Sequence, residues 1–344
     1  MLRVVVIGAG KWAHECWTSL LREHADRYAV EAVVDPERDR AISLATGLGL
    51  SADHAFSDLD EALGRRSAIN AGIVLSSPER HVDGVVRLAA AKLDVLSEKP
   101  LATNPADVQR IADTVACSGV KLAVIQNARY QNRIQTARRI MASEQLGDLR
   151  YITVRFAADY RVHGSWDVGD AHEMAHPLLI EGAIHHIDLI RYLSGLEIHD
   201  VTAITANPPG SSFAGDCIGA LLLRLEHGRF ALYEATLLAA GHENRWRSEH
   251  YRLEYANGTL VFDGETVILS RGRHSQTIPA PDRDAFDGHR AQLHAFADWV
   301  NNGPKVETTI DDNTRSLAAI FAAIQSSEHQ RTVPVDSLAR RDRT

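Results

Sequence analysis

Cysteine is scarce: Cys16, Cys117 and Cys217 are the only three in 344 residues. Their number is odd, their spacing is wide and no CxxC pair occurs, so no disulfide framework is readable and none stands in a pattern that marks a nucleophile. They read as reduced, structural thiols. No apolar run approaches the length needed to cross a bilayer, and no signal-peptide pattern precedes the first strand, so the expected location is the cytoplasm. Positive charge is also in short supply, with 37 Lys and Arg against 45 Asp and Glu and a formal net charge of −8. That balance argues against a nucleic-acid surface and leaves small polar substrates open. Internal repeats and low-complexity segments are lacking.

What is there suits a globular protein of two domains, with 45% hydrophobic and 24% charged residues. Up to about Gln126, strand-like and helix-like runs alternate, the pattern of an α/β doubly wound parallel sheet. The apolar run Val4 to Ile7 leads into Gly8-Ala9-Gly10-Lys11-Trp12-Ala13, a GxGxxA turn. Gly8 permits the tight bend, Gly10 lets backbone approach a pyrophosphate, and Ala13 allows close helix packing. A second run, Val30 to Val34, ends in Asp35, placed for a carboxylate that binds an adenosine ribose. This favours NAD over NADP, although Arg38 and Arg40 lie close by; the plainer alternative is that Asp35 starts a turn before Pro36.

The strand Asn70 to Leu75 ends at Ser76-Ser77-Pro78, where Ser77 is expected to cap the helix carrying His81. After the strand Asp94 to Ser97 comes Glu98-Lys99-Pro100. Proline disfavours helical backbone at Lys99, so its ammonium belongs at a strand end. Beyond Asn127-Ala128-Arg129-Tyr130 the pattern turns to long β-type runs with hairpin signals at His227-Gly228 and Asn257-Gly258. They predict an α+β second domain with a large, mostly antiparallel open sheet.

Between those runs, Ile180 to Leu193 has helical spacing and carries Glu181, His185 and Asp188 on nearly one face. Upstream, His172-Glu173-Met174-Ala175-His176 matches the HExxH zinc pattern. Pro177 disfavours helix at His176 and Trp166 to Ala171 reads as loop, so no metal site is expected and both histidines read as substrate-loop or surface residues.

Taken together, the GxGxxA turn, Asp35, Ser77-Pro78 with His81, Glu98-Lys99-Pro100, Asn127-x-Arg129 and Glu181-x-x-x-His185-x-x-Asp188 resemble the Gfo/Idh/MocA oxidoreductases, relatives of glucose–fructose oxidoreductase and inositol dehydrogenase. The resemblance implies a Rossmann domain over 1–126, a substrate and oligomerisation domain over 127–312, and a C-terminal helix over 313–344 that returns to the first domain before a basic tail at Ala339 to Thr344. It implies NAD contacts at Gly8, Gly10, Lys11, Trp12, Asp35, Ser76, Ser77, Pro78, His81, Glu98, Lys99 and Asn127.

By the same resemblance Lys99 hydrogen-bonds the reacting hydroxyl and His185 is the general base. Glu181 stands where the family has a supporting aspartate. Arg129, Tyr160, Arg161, His163, Trp166, His186 and Asp188 are the expected substrate contacts. The implied activity is oxidation of a secondary hydroxyl on a sugar, glycoside or cyclitol, or reduction of the ketone, by a homodimer or homotetramer. An NAD-dependent glycosidase that oxidises a sugar transiently is the alternative, and a non-catalytic dinucleotide-binding regulator is a third.

Overall fold

The computed structural model describes residues 1–143, 145–166, 171–241 and 249–335. Contacts group the described chain into two compact units, one of residues 1–126 and 289–314, the other of residues 127–288 and 315–335.

In the first unit, strands β1 (Leu2–Ile7), β2 (Tyr28–Val34), β3 (Ala55–Phe56), β4 (Ala71–Val74), β5 (Asp94–Ser97) and β6 (Leu122–Val124) form one sheet in the order β3-β2-β1-β4-β5-β6. Every pairing is parallel. Helices α1 (Thr18–Glu23), α2 (Arg38–Gly47), α3 (Leu59–Arg65), α4 (Pro78–Ala90) and α5 (Pro105–Ser118) make the connections, which is why the central strand β4 is apolar and buried throughout. Asp58 caps α3 through the amides of Asp60 and Glu61, and Asn104 caps α5 through Asp107. Ser77 occupies the same position on α4 but its hydroxyl makes no capping bond. Its carbonyl takes the Arg80 amide instead, at 2.8 Å. Ahead of α1 the helix widens into a π turn over Ala13–Trp17.

The second unit begins with a short 3₁₀ turn, Asn127–Tyr130, and α6 (Asn132–Ser143). It continues through β7 (Leu149–Ala157), a π turn at Leu178–Ala183 that runs into α7 (Ile184–Ser194), and β8 (Ile198–Ala206), β9 (Ile218–Leu225), β10 (Phe230–Thr236), β11 (His250–Tyr255), β12 (Thr259–Asp263), β13 (Thr266–Arg271) and β14 (His274–Pro279). These strands build a nine-stranded sheet, β14-β13-β12-β11-β7-β10-β9-β8-β15, with β15 at Val333–Pro334. Only β7 and β10 pair in parallel; the other neighbours are antiparallel. Burial alternates along β9 and β10, so one face of the sheet is packed and the other open.

Both hairpin signals mark real turns. His227 and Gly228, at φ 57° and 70°, join β9 to β10, and the Tyr255 amide reaches the Gly258 carbonyl at 2.9 Å between β11 and β12. The β13–β14 hairpin is not foreseen from the sequence. Its outer strand, His-Ser-Gln-Thr-Ile-Pro, is almost wholly exposed and carries no alternating apolar residues to read.

Helix α8 (Asp287–Val300) and the first turn of α9 (Ile310–His329) bring the chain back to the first unit. The rejoining stretch is thus 289–314, which takes in α8 from His289 on and the start of α9. The Tyr28 hydroxyl donates to the Leu293 carbonyl at 2.6 Å, Gln292 Nε2 donates to Val124 O at 2.5 Å, and Thr309 bridges Ala123 on the outer strand β6. Leu293 and Phe296 are fully buried. The tail Ala339 to Thr344 lies outside the described residues.

Candidate active site

Gly8 has φ +98°, and a Cβ there would fall 2.5 Å from the Ser76 amide nitrogen, so the turn at the end of β1 accepts glycine alone. At Gly10 a Cβ would meet nothing within 4 Å, which leaves the backbone open to a ligand. A cavity of about 580 Å³ lies over Ala9, Gly10 and Lys11, walled by Asp39, Arg40 and Ser43. Ser76 Oγ, buried at the carboxyl end of β4, has no hydrogen-bond partner. A bare turn, adjoining space and an unsatisfied hydroxyl at the strand ends fit a dinucleotide whose phosphates meet the amides at the helix start.

Asp35 is buried, and its carboxylate accepts the amides of Ala9 and Glu37, each at 2.9 Å. It therefore braces the glycine turn and also closes the turn after β2; its remaining lone pairs are the ones a ribose could use. Lys11 is exposed and 3.7 Å from Glu15. Ser77 is exposed, Pro78 is buried and Asn127 is half-buried.

Two residues expected at the dinucleotide face inward. His81 is 1% exposed, with Nδ1 2.7 Å from Pro100 O and Nε2 2.8 Å from Ser76 O. Both ring nitrogens are engaged by main chain, so the imidazole ties the end of β4 to the turn after Lys99. Burial pushes its pKa down to about 4, against the pull of the two carbonyls. Glu98 is also buried, and its carboxylate receives the indole N–H groups of Trp12 and Trp17. Burial raises the pKa of this carboxyl. The Lys99–Pro100 peptide is cis. From Val95 to Ala102 only Lys99 is not buried.

In the second unit the titratable stripe is sealed from water except at His185. From Pro177 to Arg191 every residue is buried except His185; Glu181, one turn earlier, has no exposure. His186 points into the core, with Nδ1 3.0 Å from the Tyr233 hydroxyl and Nε2 3.8 Å from Glu249. Burial works to raise the Glu249 carboxyl, but the charge of Arg133, with His186 beside it, holds it well below its usual range.

Arg129 and Asp188, expected at the substrate, are engaged with each other. The guanidinium donates through Nε and Nη2 at 2.6 Å each, with side chains 3% and 1% exposed. Ser316 donates to Asp188 at 3.0 Å and receives Arg191 Nη1 at 2.7 Å. These groups hold α7, which carries His185, because each side chain spends its polar atoms on a buried partner.

Tyr160 is half-buried and stacks flat on the buried Trp166 ring, with centroids 4.9 Å apart. The Trp166 ring edge lies 4.0 Å from where a Cβ of Gly182 would sit, one turn ahead of His185. Arg161 pairs with Asp159 at 2.8 Å, and His163 with Glu173 at 2.9 Å. The two histidines of the HExxH match diverge. His172 Nε2 meets the Tyr160 carbonyl at 2.9 Å, whereas His176 lies 3.5 Å from both Asp216 and Glu328. Residues 167–170 of the WDVGDA stretch lie outside the described residues. Trp17, Arg133, Tyr233, Glu249 and Ser316 were not singled out from sequence.

The strand order and the glycine turn at the end of β1 define a doubly wound, dinucleotide-binding class of protein. More specifically, the Gfo/Idh/MocA oxidoreductase model for the NAD-binding Rossmann fold matches residues 2–126, and the model for the family's C-terminal alpha/beta domain matches 138–335. The chain belongs to this oxidoreductase family, and NAD is its cofactor. It is 29% identical over 339 residues to an uncharacterized protein, y4oX, of Sinorhizobium fredii, covering 94% of this chain and 93% of that one. To the myo-inositol 2-dehydrogenase of Thermotoga maritima it is 24% identical, with 98% and 99% covered. A levoglucosan dehydrogenase solved with NADH and L-sorbose superposes with a TM-score of 0.84 at 18% identity, over 98% of this chain and 100% of that one. Among the described residues no helix is long and apolar enough to cross a membrane.

Proposed function

We propose that the protein is an NAD-dependent dehydrogenase that oxidises a secondary hydroxyl of a sugar, glycoside or cyclitol, or reduces the corresponding ketone. The observation that supports this reading most is the pair of buried runs that open at one titratable side chain each, Lys99 and His185. Evolution has little structural reason to leave an ammonium and an imidazole as the sole openings in otherwise sealed segments. Bound NAD supplies the hydride acceptor. The imidazole of His185 takes the hydroxyl proton, and Lys99 Nζ donates a hydrogen bond to the oxygen as negative charge grows on it. Glu181 supports His185 from one turn away. The names of the inositol and levoglucosan relatives favour a cyclic polyol.

The test is a panel of sugars, glycosides, cyclitols and keto forms followed by NADH absorbance. Lys99→Met and His185→Asn are expected to lower kcat by about 10²–10⁴. NADH affinity should stay within about threefold of wild type, because neither loss removes the glycine turn. Full activity in either variant overturns the assignment, and release of aglycone without NADH accumulation favours the glycosidase.

The same reading includes a homo-oligomer joined through the open face of the nine-stranded sheet. Ile204 is 73% exposed, Leu222 42%, Leu232 44% and Phe230 37%, and Leu232 stands directly opposite Leu222. A run of apolar side chains on a flat sheet face asks for cover. Leu232→Lys should shift the mass measured by light scattering to that of a smaller species; an unchanged mass removes this face as the interface.

A further inference from the structure

The carboxylate beside Lys99 does not reach outward to a ligand. Glu98 Oε1 accepts the indole N–H of Trp12 at 2.8 Å and that of Trp17 at 3.1 Å, while Oε2 accepts the Lys99 amide at 3.2 Å. The buried His289 ring closes the same pocket, 5.7 Å from the Trp12 ring and edge-on to Trp17 at 6.2 Å. Trp12 and Trp17 are five residues apart. On an ordinary α-helix that spacing turns the second side chain about 140° away from the first. The π turn over Ala13–Trp17, whose amides reach back five residues, restores the alignment and lets two indoles meet one oxygen. The widened turn and the shared acceptor thus explain each other.

We propose that Glu98, held by Trp12 and Trp17, is a positioning residue that fixes the main chain of Lys99 to the helix following the glycine turn. One carboxylate then ties the placement of the ammonium to the helix that follows the glycine turn. This rests on the reading of Lys99 as the residue at the reacting centre. It separates the acidic residue from its basic neighbour in role: Lys99 acts on the substrate, and Glu98 acts only through Lys99.

The experiment is acylation footprinting of Lys99 on the full chain, read by mass spectrometry with and without NAD⁺. It is paired with the NAD⁺ dissociation constant and the near-ultraviolet circular dichroism of the tryptophans. In the wild-type protein NAD⁺ is expected to slow acylation of Lys99 by about tenfold or more. Glu98→Ala should reduce that protection to below about twofold while NAD⁺ affinity weakens by no more than about fivefold, since no ligand contact is lost.

Glu98→Gln splits the device. Its oxygen still accepts the indoles, so the tryptophan spectrum should stay as in wild type, but its NH₂ faces the Lys99 amide donor to donor, so protection should fall. If Glu98→Ala does not fold, Trp17→Phe removes one donor and keeps the packing, and a two- to fivefold drop in protection is expected, an order of effect set by one hydrogen bond.

Protection equal to wild type in Glu98→Gln and in Trp17→Phe overturns the proposal while leaving Lys99 at the cofactor. Loss of NAD⁺ affinity by about a hundredfold in Glu98→Ala also overturns it, by making Glu98 a direct contact. Absence of protection in the wild-type protein removes Lys99 from the reacting centre and takes this inference with it.

Discussion

The runs Val95–Ala102 and Pro177–Arg191 both bury everything but one side chain, yet they are held by different chemistry. Around Lys99 the fastenings are main-chain carbonyls and indole N–H groups: His81 bonds Ser76 and Pro100, and Glu98 collects two tryptophans. Around His185 they are ion pairs, with Arg129 on Asp188, Arg133 on Glu249 and Arg191 on Glu197. A segment fixed by neutral donors loses one modest bond when a partner is deleted. A segment fixed by buried charges loses far more, because the survivor is stranded without water. The two segments should therefore fail differently.

The widest gap between them is expected at Asp188→Ala, which leaves the Arg129 guanidinium buried without its counter-ion. Urea unfolding should show a loss of about 3–5 kcal/mol. A loss under about 1 kcal/mol would mean that water or another acceptor already serves Arg129, and the contrast with the Lys99 segment would close.

Acid probes the other side. The folded His81 ring titrates at about 4 instead of its ordinary 6.5, so below pH 6.5 the unfolded chain binds a proton that the folded one refuses. This residue's penalty is absent above its ordinary pKa, grows as pH falls toward about 4, and reaches at most about 3 kcal/mol. Thermal melts from pH 7 to pH 4 should show it, and His81→Gln should flatten the slope over that window. An equally steep slope in the variant would assign the acid sensitivity to other groups.

The smallest effect is expected at Ser316→Ala. It removes the hydroxyl between Asp188 and Arg191 but leaves both ion pairs, so about 1 kcal/mol should be lost. A larger loss would make that hydroxyl the central tie of the second segment.

Legibility in the sequence follows the same divide. The glycine turn, Asp35 and the Glu98-Lys99-Pro100 element lie in short stretches where neighbours dictate conformation, and the hairpins at His227-Gly228 and Asn257-Gly258 are read from two residues each. The partners of the His185 segment are not local: Asp188 meets Ser316 across 128 residues, and Arg133 meets Glu249 across 116. No periodicity announces such pairs. Even within the first unit, a motif names a residue without saying which way it faces. His81 and Glu98 turn into the protein because each has buried main-chain or indole partners to satisfy. Under ordinary helical geometry the five-residue spacing of Trp12 and Trp17 puts them on different faces, and the π turn reverses that.

The closure of the first unit by residues 289–314 sets a schedule for biosynthesis. Val124 donates its amide to Thr308, and the Tyr28 hydroxyl waits for Leu293. Most of the parallel sheet emerges from the ribosome early, while the segment that covers its outer strand emerges some hundred and sixty residues afterwards, a separation of 168 for Val124 and Gln292. The nascent nucleotide-binding unit therefore spends most of translation unfinished, with apolar surface uncovered. A fragment ending at Gln126 would carry the complete glycine signature and still be a poor candidate to stand alone.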